Sequence, residues 1–468
     1  MIKGPFPLHN AQLDVFIDQI LDIRSPHYNI GGYSHLVGHL DIDLFDNIVT
    51  AIPQSFDSFK IRVDFSDPHP GYYIDLDFTR CSLVKMDFSE KEFPLDYAKE
   101  WMKNQFNIPF TFDINNPLCE QFLIKIGQFE FIYFFKYHHL ITDGIGISIT
   151  NEYIADMYKG VFSNGTFGGF YPSYHDEAQN WSTEYQTQKY QDGLIFWRSE
   201  IRKWPQIDFL SEKKNLLKYP TNKTERFAVE IESDLRLAIE HLKSDTKSSL
   251  QCITIAALTI YFGKVLGNTE FVFGTSLHRR RSPLQRRIVG LFSGSVPITS
   301  VYAPKERVTD LLRSIKVNQT SVFRRQNFSI SDLNQAFRSK SFGEHFFDVV
   351  VNYAHLDFHH DFGNDLKSST YELVSEAGNI PLRFWWSDYG EQQLLRLSVD
   401  YSLRYFTGYE ISLLSERLLY ILSQFSDNFD GLASDIDIIL PSERVELLSG
   451  FNDTFFSYPS EKTVVDLF

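Results

Sequence analysis

The residue types and spacing best suited to chemistry lie in His138-His139-Leu140-Ile141-Thr142-Asp143-Gly144, two adjacent histidines followed by a carboxylate and a glycine. Histidine, with an ordinary pKa near ~6.5, takes up and releases a proton around neutral pH. The run before it, Phe131-Ile132-Tyr133-Phe134-Phe135-Lys136-Tyr137, is aromatic and β-branched and reads as a buried strand. Asp143-Gly144 then opens a helical pattern from Ile147 to Tyr158. A strand end meeting a helix start is a place to display a catalytic base.

The elements that must hold this motif alternate between helix and strand. Helical spacing is expected over Asn10 to Asp22, Asp41 to Ile52 and Leu95 to Gln105, with strands over Tyr28 to Leu40 and Ser58 to Phe65. In the second of these strands Lys60 and Arg62 share a face. Phe122 to Ile126, a Gly127-Gln128 turn and the strand ending at His138 form a hairpin. The loop Ser163 to Gly169 neighbours a lobe boundary, and Tyr174 to Arg202 reads as one or two exposed helices. A second set follows: strands at Phe227 to Ile231, Phe271 to Gly274, Phe347 to Tyr353 and Leu395 to Tyr401. Its helices are Asp234 to Leu242, Ser249 to Leu266 and Tyr409 to Phe425. The order in the two halves suggests an α+β protein of two related lobes.

Composition narrows the function. A chain of 468 residues, 43% hydrophobic, holds more than one core. Its formal charge of -15 repels nucleic acid and anionic membrane, leaving only local basic patches to bind phosphate. Three cysteines (Cys81, Cys119 and Cys252) without metal-like spacing fit a reducing compartment. With no signal-peptide pattern at Met1 and no apolar window of ~18 residues, a cytoplasmic, non-membrane protein is expected. His355-Leu356-Asp357-Phe358-His359-His360-Asp361 with Asp365 lacks helical ligand spacing and reads as a solvated loop, so no metal is expected.

The motif at His138 resembles the HHxxxDG signature of nonribosomal peptide synthetase condensation domains and of the acyltransferase superfamily that includes chloramphenicol acetyltransferase. Further matches follow in family order: Pro7-Leu8 with Ala11-Gln12, Tyr174 to Ala178 with Trp181, Phe196-Trp197, Val289 to Pro297, and Phe347 to Tyr353. Leu447-Leu448, Asn452-Asp453-Thr454, Tyr458-Pro459 and Thr463 to Phe468 resemble the opening of an adenylation domain. The resemblance implies two chloramphenicol acetyltransferase-like lobes, residues 1–175 and 176–440, in a V-shaped pseudo-dimer with a central tunnel. Residues 441–468 would be a linker and the start of the next domain.

It also implies roles. An α-amine of pKa about 7.7–8.0 is partly neutral in the cell and needs alignment with the acyl thioester and a proton acceptor. By the family's pattern the histidine that accepts this proton, or holds the amine by a hydrogen bond, is His139, with His138 turned inward and Asp143 holding the loop. Gly144 would allow close backbone approach, and an N–H at the helix start could stabilise an oxyanion. The partner of Asp143 is expected at Arg62 or Lys60. The basic stretch Arg279, Arg280 and Arg281, with Arg286-Arg287, is either a solvated surface or a clamp for the phosphate of phosphopantetheine or coenzyme A. Phe292 reads equally as core or as substrate lining.

The intact histidines disfavour heterocyclisation, and the tail disfavours epimerisation. Three readings stand: a starter domain that N-acylates an aminoacyl thioester from acyl-CoA, an elongation domain fed by an upstream carrier, and a silent carrier-binding module. The expected partners are a downstream carrier bearing phosphopantetheine, an adjacent adenylation domain, and acyl-CoA or an upstream carrier. No cofactor is expected on the domain itself, which should be monomeric when excised.

Overall fold

The computed structural model describes residues 1–66, 71–163, 170–182, 187–204, 222–337, 346–355, 360–363, 365–388, 395–455, 457 and 460–468. In the first half the strands are β1 (Ile2–Pro7), β2 (Asn29–Val37), β3 (Ile61–Arg62), β4 (Gly71–Asp75), β5 (Val84–Asp87), β6 (Cys119–Gly127) and β7 (Glu130–His138). Helices α1 (Asn10–Leu21), α2 (Ile42–Thr50), α3 (Pro94–Phe106) and α4 (Gly144–Ser163) lie among them. The second half begins with α5 (Tyr174–Ser182), α6 (Gln188–Ile201), β8 (Thr224–Glu230), α7 (Ser233–Thr246), α8 (Leu250–Leu266), β9 (Glu270–Leu277) and β10 (Gly294–Val301). It continues through α9 (Val308–Phe323), α10 (Ile330–Phe337), β11 (Val349–His355), β12 (Lys367–Glu372), β13 (Leu382–Asp388), β14 (Arg396–Ser402) and α11 (Gly408–Asp427).

The unbroken apolar run of β7 is explained by burial on both faces. The strand sits mid-sheet in the order β12-β2-β7-β6-β5, paired antiparallel with β2 and β6. Phe131, Tyr133, Phe135 and Tyr137 enter one core with α1 and α4, while Ile132 and Phe134 enter another with Ala98, Met102 and Phe106 of α3. A strand with a core on each side cannot alternate polar and apolar residues. The second half carries a six-stranded sheet, β10-β9-β11-β13-β14-β8. Leu382, Phe384 and Trp386 of β13 face its helices, and the Trp386 indole donates to Thr254 Oγ1 at 2.9 Å.

Chain halves and packing units do not coincide. Strand β12, from the second half, completes the first sheet by pairing with β2 from Lys367↔Val37 to Glu372↔Gly32. A Cβ at Gly32 would collide with the Tyr371 carbonyl, so glycine permits this close pairing. Ile288, Val289, Leu291 and Phe292 also sit in the first core. Residues 288–293 and strand β12 thus bind the two lobes together.

Most expected elements are present, with three departures. Ser58 to Phe65 is no long strand: Asp57–Lys60 forms a 3₁₀ turn and only Ile61–Arg62 is extended. Tyr174 and Trp197 are buried, so α5 and α6 are not simply exposed helices. Strands β1, β4, β5, β10, β12 and β13 and helices α9 and α10 add to the elements that the sequence pattern announces. Residues 164–169 of the expected boundary loop, and Tyr458-Pro459 of the tail, lie outside the described residues.

Candidate active site

The two histidines at the end of β7 have opposite surroundings. His138 is 1% exposed; its Nδ1 accepts from the Leu140 N–H at 3.2 Å and its Nε2–H donates to Gln19 Oε1 at 3.1 Å. Both nitrogens are used, and burial, followed by the charges of His139 and His27, holds its pKa well below the ordinary value. His138 is therefore a neutral structural ring. His139 is half-buried, and its Nδ1–H donates to the Thr142 carbonyl at 2.9 Å. That bond leaves the Nε2 lone pair free to accept a proton. Burial lowers the His139 pKa, while the charge of Asp143 and the Thr142 carbonyl act to raise it; the net shift is downward. A neutral imidazole at physiological pH is the form a base needs.

Asp143 is 1% exposed and holds the loop, as expected, but not with the expected partner. Its carboxylate takes a two-pronged contact from Arg280, Nη1 to Oδ2 at 2.7 Å and Nη2 to Oδ1 at 2.9 Å. Backbone N–H groups of Gly146, Phe292 and Ser293 donate to it at 2.9, 3.1 and 3.1 Å. Burial raises its pKa, but Arg280 and these donors outweigh that and the net shift is downward. Arg62 instead lies 3.5 Å from Asp75 and against the Phe78 ring, and Lys60 closes the 3₁₀ turn. The expectation failed because residues 57–60 form a turn, so Lys60 and Arg62 do not line one strand face toward the motif.

The basic stretch is divided by burial. Arg280 is 2% exposed, and besides Asp143 it donates to the carbonyls of Ile288 and Gly290 while its guanidinium lies 4.3 Å from the Phe292 ring centroid. Arg279 is also buried and donates to the Phe328 carbonyl at 3.1 Å. Neither is a surface phosphate clamp; only Arg281 of the three is exposed. Asp361 pairs with Lys159, and residues 356–359 of the expected solvated loop lie outside the described residues.

A second polar chain joins the lobes beside the motif. His9 caps α1 through Nδ1 and bonds Tyr174, whose hydroxyl donates to the Leu291 carbonyl at 2.9 Å. Burial is the main reason that the His9 pKa is lowered to about 3. Phe292 packs at 0% exposure against Tyr174 and Trp181, which makes it core rather than lining. Gly144 is exposed at the start of α4, and a Cβ there would meet nothing within 4 Å. Open space therefore adjoins the motif. Sequence reasoning missed Arg280 as the partner of Asp143, and missed Gln19 and the His9–Tyr174 contact altogether. A cue for Arg280 existed in three successive arginines soon after an apolar strand of an acidic chain.

The condensation domain model matches residues 2–448. The chain belongs to the condensation domain family. Members of this family form amide bonds in nonribosomal peptide synthetases. Similar proteins include a plipastatin synthase of Bacillus subtilis (strain 168), 22% identical over 471 residues, covering 100% of this chain and 18% of that protein. Surfactin synthase subunit 1 of the same organism is 21% identical over 472 residues, covering 100% of this chain and 13% of that protein. The chain thus spans less than a fifth of these relatives. Among solved structures, a variant of the starter condensation domain of rhizomide synthetase, in complex with C8-CoA, superposes with TM-score 0.79. It is 18% identical and covers 93% of this chain and 98% of that one. The first condensation domain of the CDA synthetase gives 0.75 at 16% identity, covering 93% of this chain and 99% of that one. Both likenesses show the fold.

Among the described residues, no single helix is long and apolar enough to cross a membrane.

Proposed function

We propose that this condensation domain N-acylates a carrier-bound aminoacyl thioester with a fatty acyl group drawn from acyl-CoA, and that His139 is its catalytic base. The carrying observation is the hydrogen bond from His139 Nδ1–H to the Thr142 carbonyl, which leaves Nε2 as the proton acceptor. The acceptor amine attacks the thioester carbonyl, Nε2 takes the amine proton, and the C–S bond breaks as the amide forms. The proton then passes to the departing thiolate, so the imidazole ends neutral. Backbone N–H groups at the start of α4, beside the open space at Gly144, are suited to the developing oxyanion; the Gly146 N–H is already committed to Asp143.

Support for the acyl-CoA donor comes from the C8-CoA complex of the rhizomide synthetase starter domain, a protein of the same fold. Support for an elongation domain comes from the similarity to parts of long synthetases such as the dimodular nonribosomal peptide synthase of Bacillus subtilis (strain 168). In either reading a downstream carrier supplies phosphopantetheine and an adenylation domain follows from residues 441–468.

The deciding measurement mixes the protein with an aminoacyl-carrier and either octanoyl-CoA or a peptidyl-carrier, then reads the carrier mass. N-acylation from octanoyl-CoA is expected, with a loss of about 10²–10⁴-fold in His139→Ala. Turnover only with the carrier-bound donor replaces the starter reading by elongation. Full activity in His139→Ala removes the assigned base.

A further inference from the structure

Just before β2 the chain is pinned on both sides of one tyrosine. On one side Gln19 Nε2 donates to the carbonyls of Asp22 and Ser25 at 2.9 and 3.1 Å, while its Oε1 accepts from His138. On the other, Asn29 stands opposite His138 in the β2–β7 register and donates to the carbonyls of Phe106 and Ile108 at 2.7 and 2.9 Å. Tyr28 lies between these anchors, beside both histidines. Its carbonyl accepts the His139 N–H at 2.9 Å. Its ring centroid is 6.2 Å from that of His139, edge to face at 74°, and 6.1 Å from that of His138.

The far end of the same side chain reaches the second lobe. The Tyr28 hydroxyl donates to Asp18 Oδ2 at 2.8 Å, and Asn379, from the segment between β12 and β13, donates to the same oxygen. We propose that Tyr28 is a positioning residue for the reaction: its carbonyl and ring set the direction of the His139 imidazole, and Asn379 keeps the ring in place through Asp18. This rests on His139 being the base and names what aims it. The bond from Nδ1–H to Thr142 fixes one edge of the imidazole, and a ring packed against it removes the remaining tilt. A base that points slightly wrong loses rate rather than affinity, because the proton moves only in the transition state.

Two other roles are open to a tyrosine in this place. A proton donor needs an uncommitted hydroxyl, whereas this one donates to Asp18, and burial above all holds its pKa well above the usual phenol value. A residue that only fills space would change stability and leave the turnover of the folded protein intact.

Variants of the full chain separate these roles, assayed with whichever donor the wild type uses. Tyr28→Leu should lower kcat about 10–100-fold with KM nearly unchanged. Tyr28→Phe keeps the ring and carbonyl and should recover most of that, leaving a loss of about 2–10-fold. Asn379→Ala should show a similar small loss, and combining it with Tyr28→Phe should cost no more than Tyr28→Phe alone. Asn379 is exposed and phenylalanine retains the ring, so this pair carries the test even if the leucine variant does not fold. Independently of turnover, the His139 Nδ1–H gives a ring-proton resonance in isotope-labelled histidine spectra, identified by its absence in His139→Ala. It should persist in Tyr28→Phe and be lost to exchange with water in Tyr28→Leu, at unchanged circular dichroism. Wild-type kcat in Tyr28→Leu, a loss confined to KM, additive losses in the double variant, or a resonance that survives in Tyr28→Leu overturns the proposal. The reading of His139 as base falls separately, on full activity in His139→Ala.

Discussion

Arg279 and Arg280 are neighbours in the chain, and both act on aspartates of the other lobe, yet the two aspartates respond in opposite directions. Asp143 receives the Arg280 fork and three backbone N–H groups, and its pKa falls. Asp14 feels Arg279 only through space; its carboxylate accepts the N–H groups of Ile330 and Ser331 at the start of α10, and burial raises its pKa to about 6. Both aspartates join the lobes. The difference is direct contact: burial wins over a nearby charge, and a bidentate guanidinium wins over burial.

Breaking the stronger joint should have the largest effect. Asp143→Ala leaves Arg280 buried with two carbonyls and no counter-ion, and the N–H groups of Phe292 and Ser293 without their acceptor. A loss of about 3–5 kcal/mol in denaturant unfolding is expected, together with loss of activity. Arg280→Lys keeps the charge but not the fork, so it should cost less, about 1–3 kcal/mol. If the lysine variant equals the wild type in stability, the two-pronged contact is not what holds the loop.

The weaker joint is sharpened by pH. Asp14 binds its proton more tightly folded than unfolded, so it adds stability below its unfolded value near 3.8, and that contribution disappears as pH rises through about 6. Asp143 has the opposite sign: its contribution is present above the unfolded value and is lost only under stronger acid. His9 and His138, with lowered pKa values, favour the folded state above about 6.5, which runs against Asp14 in the same range. The difference between wild type and Asp14→Asn isolates the carboxyl. Relative to wild type, the Asn variant should gain about 1–2 kcal/mol between pH 4 and pH 7, allowing for the partial exposure of Asp14. A difference that stays flat over that range would mean that Asp14 is not perturbed.

The same contrast shows what a sequence carries. The site's own strand and helix were legible because β7 carries an apolar run from Phe131 to Phe135 and α4 begins directly after Asp143, both local patterns. The separation of His138 from His139 was available from the family resemblance, and the structure supplies its cause in Gln19 and Thr142. The partner of Asp143 was not legible, because Arg280 lies 137 positions away and pairing across lobes leaves no spacing to read. Buried arginines also look like surface arginines until a carboxylate is found beside them. Strand β12 escaped for a related reason: it is six residues long, and it pairs with β2 near the opposite end of the chain.

The smallest effect is expected where neither joint is touched. Gly144 opens α4 next to the bonded loop, yet a Cβ there meets nothing within 4 Å. Gly144→Ala should therefore leave stability unchanged or raise it by about 0.4–1 kcal/mol, through the reduced freedom of the unfolded chain. The same space is where substrate must pass if the Nε2 side of His139 is the reacting side. Gly144→Leu should fold as well as the alanine variant while losing kcat/KM, because a side chain that is harmless in the empty site obstructs an occupied one. A leucine variant with both full stability and full kcat/KM would show that the space beside Gly144 is not the substrate's path. It would also turn the search for that path to the opposite side of the His139 ring.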